Sequence, residues 1–216
     1  MIEPVHLLIR SQTCWLSPAR CLFWEEKKTL VVGGFQLGRI SEPTDEPVRN
    51  SSLDRLQEQI LFFKAERVLF LGAFPLPESN QYLEAFTQWR KRYPALALTA
   101  VLSHESPVAE SLLNALGVSI HIGQLKESPF VWTANRIAYE EWEKNRQQGY
   151  LISGFQDPGY KSYDAPRQAT ACPTFFLTPD HALLPAFSKP KGTDRVRAGK
   201  DQLLWLCHAH SLERKT

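Results

Sequence analysis

The sequence predicts an α/β domain, and three observations carry that expectation. Short apolar runs, Leu30-Val31-Val32, Val68-Leu69-Phe70-Leu71 and Tyr150-Leu151-Ile152-Ser153, each end on a glycine turn, at Gly33, Gly72 and Gly154. Stretches with apolar residues at helical spacing lie between the strand-like runs of the first half. From Val118 onward the pattern changes to short strands and turns. The first half therefore reads strand-helix-strand-helix-strand-helix, the order of a layered sheet. At 216 residues the chain is long enough for one large domain with a real core. It has no internal repeat, low-complexity tract or linker, so residues 1–216 are expected to form a single domain.

The elements follow in order. Cys21–Trp24 and Thr29–Val32 are expected as strands joined by the turn Glu25-Glu26-Lys27-Lys28. Ser41–Asn50, polar and with two prolines, leads to a helix that Ser51 or Ser52 can cap, with Leu53, Leu56, Ile60 and Phe63 on one face. Val68–Leu71 is continuous enough for a central parallel strand. A second helix is expected over Glu78–Tyr93, with Tyr82, Phe86 and Trp89 inward and Arg90-Lys91-Arg92 at its negative end. After a strand at Leu96–Leu102, Ser106-Pro107 opens a third helix, with Ser as cap and Pro in its first turn, and Gly117 closes it. The later strands are expected at Val118–Ile122, Phe130–Thr133, Tyr150–Ser153, Thr174–Leu177, Ala182–Phe187 and Gln202–Leu206. One helix, Tyr139–Gln147, interrupts them.

Composition narrows the function classes. Hydrophobic residues are 43% and charged residues 22%, the profile of a globular rather than a disordered or fibrous chain. A net charge of +2 gives no strong pull toward nucleic acid or membrane. Met1–Leu16 lacks the apolar core of a signal peptide and nothing later approaches membrane-spanning length, so the expected location is cytoplasmic, with no membrane partner. Cys14, Cys21, Cys172 and Cys207 have no CxxC spacing and are expected to be buried, reduced thiols. His208 and His210, beside Cys207, are expected in a solvated tail rather than a metal cluster. Lys189, Lys191, Arg195, Arg197 and Lys200 form a basic stretch broken by Asp194 and Asp201, read as a solvated loop with phosphate contact as the functional alternative. Trp15, Trp24 and Trp205 are expected in the core, whereas Trp89, Trp132 and Trp142 are the candidates to line a cleft and stack a base.

The order of elements resembles the calcineurin-like metallophosphoesterase superfamily, and within it the bacterial ligase-associated DNA damage response endonucleases. Three stretches carry the likeness: Cys21-Leu22-Phe23-Trp24 through Leu37-Gly38-Arg39; Val68-Leu69-Phe70-Leu71-Gly72; and Leu183-Leu184-Pro185-Ala186-Phe187 with Gly192 and Arg195-Val196. It spans about residues 17–206. The fold this implies is a four-layer αββα sandwich. The chemistry it implies is two divalent cations, about 3.5–4 Å apart, that clamp a phosphodiester and generate hydroxide from water. In the family the ligands arrive as D-x-H, G-D, G-N-H, a lone His and G-H-x-H.

Carried over position by position, that ligand set is depleted. The first pair falls on Gly34 and Gln36. The bridging carboxylate of G-D falls on Ala73. G-N-H falls within Leu102-Ser103-His104-Glu105, with His104 its survivor. The lone His falls near Thr133–Asn135, where there is none, and G-H-x-H places Phe155 and Asp157. Gly, Ala and Phe side chains offer no lone pair, so no cofactor is expected. Pro75, Leu76 and Pro77 stand where the family has a further histidine loop. With Phe155 they are expected to help pack the emptied pocket. The resemblance therefore implies a catalytically degenerate protein that binds or scaffolds a protein partner or nucleic acid, with a link to DNA repair. Two alternatives stand beside it. One is a phosphodiesterase or nuclease with a rearranged or mononuclear Mn or Mg site using His104, Glu105 and Asp157 as the candidate catalytic groups. The other is a nucleotide- or small-anion-binding module built from Arg39, Gln36, Glu105 and Asn135.

Overall fold

Two strands precede those expected at the start of the chain. The structure is a computed structural model that describes residues 2–36, 51–72, 80–145, 149–161, 171–188, 194–197 and 199–215. Val5–Ile9 (β1) and Gln12–Ser17 (β2) form a hairpin, and β2 pairs antiparallel with Cys21–Trp24 (β3), which pairs with Thr29–Gly33 (β4). Ser51–Phe63 (α1), Arg67–Leu71 (β5), Asn80–Arg92 (α2), Ala97–Leu102 (β6), Pro107–Ala115 (α3) and Val118–Ile122 (β7) follow, and β4 to β7 run parallel in one sheet ordered β1-β2-β3-β4-β5-β6-β7.

The second sheet begins immediately. Gln124–Glu127 (β8), Phe130–Thr133 (β9), Arg136–Asn145 (α4), Tyr150–Ser153 (β10), Pro158–Tyr160 (β11), Cys172–Leu177 (β12), His181–Leu183 (β13), Asp194–Arg195 (β14), Leu203–Cys207 (β15) and Leu212–Lys215 (β16) complete the chain. Its order is β14-β11-β12-β13-β10-β9-β8, with β15 on β12 and β16 on β15. The strands β9, β10 and β13 are parallel.

Alternation of side chains along the strands produces the layers. Leu30 and Val32 of β4, Val68 and Phe70 of β5, and Leu98 and Ala100 of β6 face one core with Leu56 and Ile60 of α1, Phe86 and Trp89 of α2, and Leu113 of α3. Their neighbours Val31, Leu69, Leu71 and Val101 face the other sheet, meeting Phe130, Trp132, Tyr150 and Ile152. On the far side of that second sheet, Val131 and Leu151 pack on Trp142 and Tyr139 of α4. The result is the expected αββα order. Each fully buried large apolar side chain stabilises it by about 1.5–3 kcal/mol. Across the sheet–sheet core Trp24 meets Phe130 edge-on, with ring centroids 4.9 Å apart. A two-armed ion pair, Arg67 Nη1 and Nη2 to Glu127 Oε1 and Oε2 at 2.6 Å each, ties β5 to β8.

Four expectations are corrected. The chain end is a hairpin strand, β16, rather than a solvated tail: Leu212 pairs with Cys207, and His208 N–H donates to Ser211 O across the turn. The expected strand Ala182–Phe187 stops at Leu183, because Pro185 has no N–H to donate, and resumes only as a single bridge from Ala186 to Gly33. Ser106 does not cap α3 with its side chain; instead Glu110 reaches back, its Oε1 accepting the Ser106 N–H at 2.9 Å. Trp89, Trp132 and Trp142 are buried with Trp24, so none offers a stacking face, while Trp15 and Trp205 are half-buried against the cores. No described helix is long and apolar enough to cross a membrane.

Candidate functional site

The carboxyl ends of the parallel strands from both sheets meet along one line. Gly33 ends β4, Leu71-Gly72 ends β5, Leu102-Ser103 ends β6, Thr133-Ala134-Asn135 follows β9 and Gly154 follows β10. Main chain touches main chain there. A Cβ on Gly154 would lie 2.6 Å from Leu71 Cβ and 2.9 Å from both Gly33 Cα and Leu71 O. One on Gly33 would lie 3.0 Å from Gly154 Cα. Gly34 is left-handed, with φ of 58° and room for a Cβ only 3.2 Å from that of Ala186. Its N–H donates to Leu71 O at 3.0 Å, so the turn is stitched to the neighbouring strand. Only glycine adopts that backbone without strain.

The side chains that follow these strand ends are held by the protein itself. Phe35 turns under the helical layer and is buried against Phe70 and Phe187, with centroids 5.0 and 6.1 Å away. Gln36 N–H donates to Ser188 Oγ at 2.7 Å, and that hydroxyl donates back to Gln36 O at 3.1 Å. Asp157 Oδ1 accepts the Ala186 N–H at 3.3 Å. Both residues are thus ordered against the same segment, Leu184 to Ser188. Asn135 spans the two sheets by donating from Nδ2 to Ser103 O at 2.8 Å. His104 is exposed, its Nδ1 2.8 Å from Ser103 Oγ, and Glu105 is exposed beside it. Phe155 is half-buried and stands edge-on to Tyr139 of α4 at 5.8 Å; the Tyr139 hydroxyl lies 3.2 Å from His181 Nε2.

Among the described residues no group of three or more His, Cys, Asp or Glu side chains converges. A metal pair needs several oxygen or nitrogen donors around each ion. Among the described residues at these strand ends, Gly34 and Phe155 offer no donor, while Asn135 and Asp157 carry side-chain oxygens and each hydrogen-bonds the main chain. Arg39, Ala73, Pro75, Leu76, Pro77, Lys189, Lys191 and Gly192 lie outside the described residues. Of the remaining basic stretch, Arg195, Arg197 and Lys200 are exposed.

Sequence reasoning missed two arginines next to this line. Arg20, in the β2–β3 turn, donates from Nη2 to Ser188 O at 3.2 Å, and Arg55 of α1 donates from Nη2 to Phe187 O and, at 3.3 Å, to Ser188 O. The Arg55 guanidinium also lies 4.5 Å from the Phe187 ring centroid. Nothing in the sequence pairs them, because a strand turn and a helix bring them together. The one usable signal was Arg55 itself, a charge between Leu53 and Leu56 near the apolar face of an amphipathic helix.

No known family model and no curated protein sequence matches the chain. Its fold does have a solved counterpart. Over 99% of its length, and 100% of the other chain, it superimposes on the crystal structure of the Pseudomonas putida nuclease MPE with a TM-score of 0.78 and 17% sequence identity. The chain shares that nuclease's fold, a mixed α/β arrangement of two packed sheets.

Proposed function

We propose that the chain is a degenerate metallophosphoesterase-like protein that binds a protein or nucleic-acid partner without hydrolysing a phosphodiester. The observation that carries this reading is residue chemistry: Gly34, Ala73 and Phe155 occupy sequence positions whose counterparts in the resembled family are ligands. Losing one outer-sphere partner of a ligand already costs about 10–100-fold in metal affinity or activity; here direct donors are lost together. Two adjacent cations with so few donors repel each other uncompensated. The link to nucleic acid and DNA repair rests on the sequence resemblance and on a structural neighbour that is a nuclease. A cytoplasmic location agrees with four cysteines that are all unpaired.

The test is hydrolysis of bis(p-nitrophenyl) phosphate and of single- and double-stranded DNA by the purified chain with added Mn2+ or Mg2+. The reading expects no turnover above a heat-denatured control. Metal-dependent turnover abolished by His104→Ala or Asp157→Ala would instead establish the alternative, a rearranged or mononuclear phosphodiesterase.

A further inference from the structure

We propose that a pocket beside the glycine line, between Arg20 and Arg55, binds a tetrahedral oxyanion of the phosphate class. The cavity has a volume of about 400 Å³ and is lined by Arg20 and Arg55, Glu58 and Gln59 of α1, and His208 and His210 of the β15–β16 turn. It lies beside the strand ends already described, joined to them through Phe187 and Ser188, and its own two guanidinium groups supply the binding.

Charge is the first argument. Among the described residues neither guanidinium has a carboxylate partner; their hydrogen bonds go to the carbonyls of Phe187 and Ser188. Burial first, then the like charge of Arg20, brings the Arg55 guanidinium down to about 10, and burial likewise lowers that of Arg20. The pocket therefore holds two half-buried guanidinium groups with no hydrogen-bonded carboxylate among the described residues. Two carboxylates act on them through space: exposed Glu58, which also lines the pocket, on Arg55, and Asp157 on Arg20.

Donor geometry is the second. Each guanidinium carries five N–H donors in a fixed fork, which suits it to phosphate oxygens, and the hydrogen bonds to Phe187 O and Ser188 O use only Nη2 of each. Two guanidinium forks, one from a strand turn and one from a helix, line one pocket with His210 and with His208, whose Nε2 lies 3.1 Å from Glu213 Oε2. Two forks match a tetrahedral dianion better than a planar carboxylate, which one fork saturates.

The same chemistry is presented by free phosphate and by the terminal phosphate of an oligonucleotide. The experiment is calorimetric titration of the full chain with sodium phosphate against sodium chloride at matched ionic strength. Parallel titrations use a 5′-phosphorylated oligonucleotide and its 5′-hydroxyl twin, and each is repeated on Arg20→Gln. The expected result is phosphate-specific binding weakened at least tenfold in Arg20→Gln, with an unchanged circular dichroism spectrum. Preference for the phosphorylated oligonucleotide names a nucleic-acid end as the source, and binding of free phosphate alone names a small anion; both support the site. No phosphate-specific binding, or binding undiminished in the variant, overturns it. If Arg20→Gln does not fold, a phosphate-soaked crystal of the unaltered chain decides: density between Arg20 and Arg55 supports the site and an empty pocket overturns it.

Discussion

One added methyl group at Gly154 is expected to force the two sheets apart where they approach most closely. In Gly154→Ala the new Cβ would sit 2.6 Å from Leu71 Cβ and 2.9 Å from Gly33 Cα and Leu71 O. Carbon atoms in van der Waals contact lie about 3.5–4.0 Å apart, so a displacement on the order of 1 Å is required. Two of the three obstructing atoms are main chain, and no rotamer change relieves them. Overpacking a core costs about 1–3 kcal/mol, and a backbone-on-backbone clash belongs at about 3. For a chain of this size each kcal/mol lowers Tm by about 2–4 °C, giving a loss of about 6–12 °C. Thermal melts followed by circular dichroism, with urea titration as a second probe, measure it. Gly199→Ala is the control: the nearest atoms to its Cβ belong to the far end of the flexible Gln202 side chain, so a change within about 0.5 kcal/mol is expected. A Gly154→Ala protein as stable as its parent would refute the backbone contact between the sheets.

Three further outcomes follow. Gly34→Asp places the ligand type of the resembled family in a left-handed backbone; it is expected to lose about 1–2 kcal/mol in urea titration and to gain no Mn2+ binding, because Ala73 and Phe155 still lack donors. The Arg67 fork holds the Glu127 carboxyl below its ordinary value of 4.5. That pair therefore adds stability above this value, lost as pH falls through the lower folded pKa. Arg67→Met is expected to cost about 1–2 kcal/mol at pH 7, between exposed and buried pairs, and to flatten the acid side of a stability–pH curve. Burial pushes the Cys14 and Cys21 thiols up to about 12 and raises Cys207 as well. Iodoacetamide followed by mass spectrometry is thus expected to label half-buried Cys172 first, and the others only after denaturation.

The parallel strands were legible because they are apolar on both faces. Val68-Leu69-Phe70-Leu71 sends alternate residues into two different cores, so it reads as one unbroken run. Helix α3 was legible from Pro107 and Gly117, whose backbone preferences act locally. The β1–β2 hairpin was not, since its turn is Arg10-Ser11, both at positive φ with no glycine or asparagine to mark it. Nor was β16, whose Leu-Glu-Arg-Lys stretch is polar and gains its pairing only from β15. At the candidate site, the glycines at 33, 34 and 154 could be placed at strand ends from sequence. That their main chains touch across two sheets could not, because the contact joins segments with no local signal between them. The Arg20–Arg55 pocket was hidden for the same reason.

Manganese uptake by the purified, metal-stripped chain tests most directly the proposal that the strand ends hold no metal pair. Calorimetry and electron paramagnetic resonance at stoichiometric Mn2+ are expected to show free hexaaqua ion and no binding heat. Two ions taken up per chain with a spin-coupled signal would contradict the account.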